Sequence, residues 1–244
     1  MPRANRYFIP GNIWHITHRC HKRDFLLKFR RDRICWMHWL FEAKRRFGVS
    51  VLNYIVTSNH IHLLVSDDTT EGNIPMFMQL VQGRTAQAYN NRTNRRGAFW
   101  EDRYHATAIA MDEHVIQCMV YISMNMFRAG VVNHPEKWKE SGYYEIQHPK
   151  KRYAIIDYTS TLKILNLESM DRLQEVQQAW IKDALEKSNR QRDGKWTEAI
   201  AVGNEAFLEN IQKQLDIKAK SRKIKKNKEG YELSEPEIPY KGYF

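Results

Sequence analysis

Cysteine is scarce in this sequence: Cys20, Cys35 and Cys118 are the whole complement. An odd number with no paired spacing offers no disulfide framework and suits a reducing compartment. Long apolar runs are missing too, none approaching the roughly 18 uninterrupted residues of a membrane span. Met1-Pro2-Arg3-Ala4-Asn5-Arg6 leads into no apolar signal segment, so neither secretion nor membrane insertion is expected and the protein reads as cytoplasmic. Acidic residues are in deficit, 28 against 39 Lys and Arg, for a net charge of +11. The resulting positive field favours polyanionic partners, nucleic acid first among them. What the sequence does have is apolar residues at 42% of its 244 positions, enough for a packed core without disulfide or metal staples.

Along the chain, Ile13 to Arg19 mixes β-branched, aromatic and polar residues as a half-covered strand does. Arg31 to Phe47 follows at helical spacing, with Gly48 as its stop. Val49 to Val56 and His60 to Val65 predict a hairpin turning at Thr57-Ser58-Asn59. Asn73 to Asn91 predicts a second helix, and Arg103 to Ala110 a fourth strand. Asp112 is placed to cap a further helix carrying Val115, Met119, Ile122 and Met126. The order β-α-β-β-α-β plus a helix is an α+β, ferredoxin-like pattern, whose sheet carries helices on one face and leaves the other for a ligand. Residues 1–149 form this expected catalytic domain, 150–217 a smaller helical region, and 218–244 a basic tail whose run Lys218 to Lys228 is too charged to pack.

Two pairs of residues carry chemistry. His60 and His62, at i and i+2 on a strand, project from one face about 7 Å apart, so two imidazole nitrogens can converge on one ion. Such a pair is either a metal site or two polar residues satisfied within the fold. Tyr121 and Asn125, at i and i+4 on a helix, share a face with Cβ atoms about 6 Å apart. They are a nucleophile and an oxygen ligand, or a core aromatic beside a polar neighbour.

Four blocks resemble a known family. They are Tyr7-Phe8-Ile9-Pro10-Gly11-Asn12-Ile13-Trp14-His15-Ile16-Thr17-His18-Arg19, Tyr54-Ile55-Val56-Thr57-Ser58-Asn59-His60-Ile61-His62-Leu63-Leu64-Val65, Phe99-Trp100-Glu101-Asp102-Arg103-Tyr104, and Tyr121-Ile122-Ser123-Met124-Asn125-Met126-Phe127-Arg128-Ala129-Gly130-Val131-Val132. In this order, over about Arg6 to Tyr144, the chain resembles the single-tyrosine HUH transposases, in particular the REP-associated tyrosine transposases related to insertion-sequence-200-like enzymes. The resemblance implies that His60 and His62 bind a metal, that Asn125 completes the ligand set, and that the catalytic residue Tyr121 attacks DNA. The last block departs from the family form Tyr-Ile-His-x-Asn-Pro-Val: Ser123 replaces the histidine and Met126-Phe127 replace Pro-Val. Neither change removes a catalytic group.

The expected activity is metal-dependent cleavage and rejoining of single-stranded DNA through a 5′-phosphotyrosine link. Two imidazoles and an amide oxygen with open positions suit Mg²⁺ or Mn²⁺. Single strands are held by basic grooves and stacking rings, for which Arg3, Arg6, Arg84, Arg92, Arg95, Arg96 and Arg103, with Trp14, Trp100 and Tyr104, are the candidates. The resemblance implies a hairpin or palindromic repeat end as substrate, a nucleoid-associated location in a bacterial cytoplasm, and action as monomer or homodimer. The competing expectation is a domesticated, non-cleaving DNA- or RNA-binding protein on the same fold.

Overall fold

Pairing between strands distant in sequence organises the structure. The computed structural model describes residues 8–67, 72–187, 193–215, 222–227 and 230–234. Strand β1 (Ile13–Arg19) is followed by helix α1 (Arg30–Phe47), the hairpin β2 (Ser50–Val56) and β3 (His60–Ser66), helix α2 (Ile74–Thr93), strand β4 (His105–Ile109) and helix α3 (Glu113–Ser123). β1 pairs antiparallel with both β3 and β4, giving the core order β2-β3-β1-β4. This is the expected ferredoxin-like arrangement. α1 ends where Gly48 takes φ +67°, and α2 ends where Asn94 takes φ +50°, left-handed turns that favour these residue types.

Strand alternation assigns the faces. His18 lies opposite Ile61 and stacks on Trp100, whose Nε1 donates to the Gln82 carbonyl of α2. The face of Ile16, Ile61 and Leu63 is therefore the one covered by α1 and α2, through Trp36, Leu40, Phe77 and Val81. The other face, expected to be left open, carries α3 instead. A bulge in β2 between Val51 and Asn53 brings Asn53 opposite Leu64. There the Asn53 amide donates to the Met119 carbonyl at 3.0 Å and to Ser123 Oγ at 3.3 Å, fastening α3 to the sheet. What remains open is a cleft at one end of this face.

The later part of the chain differs from expectation. Helices α4 (Asn125–Arg128), α5 (Gly142–Gln147), α6 (Tyr158–Leu165), α7 (Met170–Glu186), α8 (Lys195–Glu198) and α9 (Glu205–Leu215) are joined by three further strands, β5 (Ala201–Gly203), β6 (Lys223–Asn227) and β7 (Gly230–Ser234). β5 runs parallel to β4, and the β6–β7 hairpin continues the sheet to the order β2-β3-β1-β4-β5-β7-β6. A run judged too charged to pack thus supplies an outer strand. Ile224 faces buried Leu233 across the hairpin while Lys223, Lys225 and Lys226 stay exposed. Lysines suit an edge strand because they discourage further strands from adding. The opposite edge, β2, is closed by Val56 N–H donating to the Glu140 carbonyl and Trp138 Nε1 to the Val56 carbonyl.

Candidate active site

Register brings the site together. Thr17 lies opposite both His62 and His105, and Arg19 opposite His60. These residues share one face at the end of β1, β3 and β4, where they border a cleft of about 550 Å³ together with Tyr121, Asn125 and Arg128. Of the residues expected from sequence, His60, His62, Tyr121, Asn125 and Arg103 meet in this cleft.

The two histidines are supported differently. His60 Nδ1 lies 2.7 Å from Asn59 Oδ1 and 3.0 Å from Thr57 Oγ1, all within the β2–β3 turn. His62 Nδ1 lies 3.0 Å from His15 Nε2, and His15 Nδ1 lies 2.7 Å from the Trp196 carbonyl. Burial lowers the His15 pKa to about 3; the Trp196 carbonyl acts in the opposite sense and nearby His105 adds to the lowering. The neutral ring is the one that carries a single N–H and a single lone pair. The His60 and His62 rings stand 5.1 Å apart and nearly perpendicular.

Tyr121 is buried at 7% exposure, with its ring centroid 5.7 Å from His62, 6.0 Å from His15 and 5.9 Å from Trp196. The Arg128 guanidinium sits 4.2 Å from the ring centroid and donates to the Tyr121 carbonyl at 2.7 Å. Burial pulls the Arg128 pKa down, and Tyr121 and Asp193 oppose that shift.

Tyr121 and Asn125 do not share one unbroken helix, since α3 ends at Ser123 and α4 begins at Asn125. Ser123 Oγ donates back to the Met119 carbonyl at 2.8 Å, where the Asn53 amide also donates. Such side-chain bonds compete with the helical ladder and bend it. Met124 between the helices keeps right-handed φ and ψ, so Asn125 still faces the cleft and its Nδ2 lies 3.0 Å from His62 Nε2.

This donor set fits a divalent ion. Both histidines engage Nδ1 in hydrogen bonds, the usual support for a ligating imidazole. Asn125 already touches His62 Nε2, and turning its amide over presents Oδ1. A second group, Asp112, Glu113 and His114, has ligand atoms within 4.8 Å of one another. Its geometry serves the start of α3: Asp112 Oδ1 accepts from His114 N at 3.0 Å and from its Nδ1 at 2.6 Å, and Oδ2 accepts from Asn204.

The expected DNA contacts are spread out. Arg103 lines the cleft, with Arg19 and Arg128 as further cations beside Glu101 and Asp102. Arg84 stands over Trp39, Arg92 pairs with Asp32, Arg95 donates to the Ala98 carbonyl and Arg96 is exposed, all outside the cleft lining. Trp100 is half-buried, with one face on His18. Trp14 and Tyr104 are buried, with the Phe8 ring beside both, so neither presents an open face to a base. Arg3 and Arg6 lie outside the described residues. Sequence reasoning missed His15, Arg128 and Trp196. For His15 the signal was present in the alternation His15, Thr17, Arg19 on a strand that pairs with the two histidines.

No helix among the described residues is long and apolar enough to cross a membrane. No curated protein sequence matches the chain. Among solved structures, a REP-associated tyrosine transposase bound to a REP hairpin superposes with a TM-score of 0.52 at 17% identity, over 65% of this chain and 96% of that one. A candidate transposase from Deinococcus radiodurans R1 gives a TM-score of 0.36 at 17% identity, over 49% of this chain and 95% of that one, too low to carry an argument. The first match shows a shared fold. Residues 11–125 match the family described as "Transposase IS200 like". That match spans the segment that holds both histidines, the tyrosine and the asparagine, and over it the chain is similar to the IS200-like transposases.

Proposed function

We propose that this protein is a DNA transposase that cuts and rejoins single-stranded DNA, with Tyr121 as nucleophile. The observation that carries the reading is the meeting of Tyr121, His60, His62 and Asn125 in one cleft, on one chain. A pure binding module has no need of that set.

A phenol with a pKa near 10 is almost wholly protonated at neutral pH. The Arg128 guanidinium against the Tyr121 ring favours the phenolate, because a nearby cation stabilises the charged form. Arg128 and Arg103 also meet the charge of an entering phosphate. When bound by His60, His62 and Asn125, a Mg²⁺ or Mn²⁺ ion supplies charge withdrawal from a phosphate oxygen. Tyr121 Oη attacks phosphorus, the phosphotyrosine bond forms, and the bond to the 3′-oxygen breaks, leaving a 3′-hydroxyl. The reverse attack by another 3′-hydroxyl restores a phosphodiester and frees Tyr121. Phosphodiester bond energy is kept throughout, so joining needs no nucleotide cofactor. Hairpin DNA is the proposed substrate, since the superposed transposase is bound to a REP hairpin.

Incubation with a labelled single-stranded oligonucleotide carrying the hairpin should give a covalent protein–DNA adduct on a denaturing gel. Tyr121→Phe should abolish it and leave binding intact. Adduct formation that survives in the variant rules Tyr121 out as the nucleophile; binding without any adduct in the wild type favours a non-cleaving protein.

A further inference from the structure

We infer that His15 is a positioning residue for His62, transmitting a fixed orientation from the Trp196 carbonyl, so that a segment beyond the family match completes the active site. The inference rests on the reading of His62 as a metal ligand.

The direction of each hydrogen bond follows from its far end. A carbonyl oxygen only accepts, so the 2.7 Å contact between His15 Nδ1 and the Trp196 carbonyl puts a proton on His15 Nδ1. In the neutral ring Nε2 then accepts, and its 3.0 Å neighbour, His62 Nδ1, must donate. His62 is left with a lone pair on Nε2, the atom that faces the Asn125 amide. The two rings lie within 8° of parallel with centroids 5.1 Å apart, and His15 is wholly buried, so solvent cannot take its place.

The carbonyl at the head of this chain is itself held by the sheet. Thr107 Oγ1 contacts the Trp196 and Ala199 carbonyls at 3.4 and 2.7 Å, His105 Nε2 lies 2.9 Å from the Ala199 carbonyl, and Ala108 N–H donates to the Ile200 carbonyl. Trp196 also places its ring beside Tyr121. His60 Nδ1 is instead held within its own turn, by Asn59 and Thr57.

The test uses the full-length, metal-free protein. Long-range ¹H–¹⁵N correlation of the imidazole rings should show His15 and His62 each as a single tautomer protonated at Nδ1. His15→Leu should leave His62 as a mixture of tautomers and weaken Mn²⁺ binding, measured by calorimetry, by roughly ten- to a hundredfold, the usual effect of losing such a partner. His15→Gln, whose side chain can accept from His62 and donate to the Trp196 carbonyl, should restore affinity to within a few-fold. A wild-type His62 protonated at Nε2 overturns the inference without any variant. So does Mn²⁺ affinity unchanged in a folded His15→Leu. A fixed Nδ1–H tautomer in a wild type that binds no Mn²⁺ supports the relay and overturns the metal reading alone.

Discussion

Gly142→Ala tests how the tyrosine helix is held to the sheet. Gly142 opens α5 where that helix crosses β2, and a Cβ there would stand 2.3 Å from Asn53 Oδ1, 2.9 Å from Tyr54 N and 3.1 Å from Ile156 Cδ1. None of these is the end of a flexible surface chain. Asn53 Oδ1 accepts the Tyr54 N–H at 2.9 Å while its Nδ2 holds the Met119 carbonyl, two residues before Tyr121. Forcing an extra methyl into packed surroundings costs about 1–3 kcal/mol, and stranding one buried polar group costs about 1–3 more. A loss of about 2–6 kcal/mol is a large share of the roughly 5–15 kcal/mol that holds a domain folded. Urea unfolding followed by tryptophan fluorescence should show it, with slower adduct formation as Met119 and Tyr121 shift. Gly83→Ala is the control: within α2, a Cβ added at Gly83 would meet nothing within 4 Å, so the change should stabilise by about 0.5–1 kcal/mol. Gly142→Ala within about 0.5 kcal/mol of wild type, the ordinary range of surface changes, would refute the account.

Arg128→Gln should slow single-turnover cleavage roughly tenfold at neutral pH, the scale of losing one charge-assisted contact, and move the rise of rate with pH to higher pH, since losing the cation disfavours the phenolate. An unshifted profile would mean that Arg128 serves packing alone. His15, at about 3 in the fold against an ordinary 6.5, excludes a proton that the unfolded chain takes up. Its contribution is complete above pH 6.5 and is lost as pH falls toward 3, at up to about 1.4 kcal/mol per pH unit. His15→Gln should therefore lose stability less steeply than wild type between about pH 6 and 4 in urea titrations; parallel curves would contradict the shift. Arg103→Ala should weaken single-strand binding and reduce the salt slope by about 0.7, whereas Arg84→Ala, outside the cleft lining, should leave both unchanged by fluorescence anisotropy.

The core fold was legible because its signals are local. Alternation in Ile13 to Arg19, helical spacing closed by Gly48 and Asn94, and the Asp112 cap each act within a few residues. The His60 and His62 pair was legible for the same reason. His15 was hidden because its role depends on β1–β3 register and on a carbonyl 181 residues away. The break after Ser123 depends on Asn53 reaching across from β2. Strand β6 was obscured by its lysines, which mark a disordered run and a guarded sheet edge equally well.

The parallel pairing of β5 with β4 has a consequence for biosynthesis. A chain made from its amino terminus exposes His60, His62 and Tyr121 well before residues 195–203 exist to lie against β4 and His15. Contacts so distant in sequence close late, after nearby ones have offset the entropy of the loop. A chain synthesised only partway would thus carry its tyrosine and histidines without the carbonyl that orders His62, and the proposed fixing of that ring would begin only once residues 195–203 had been made and docked.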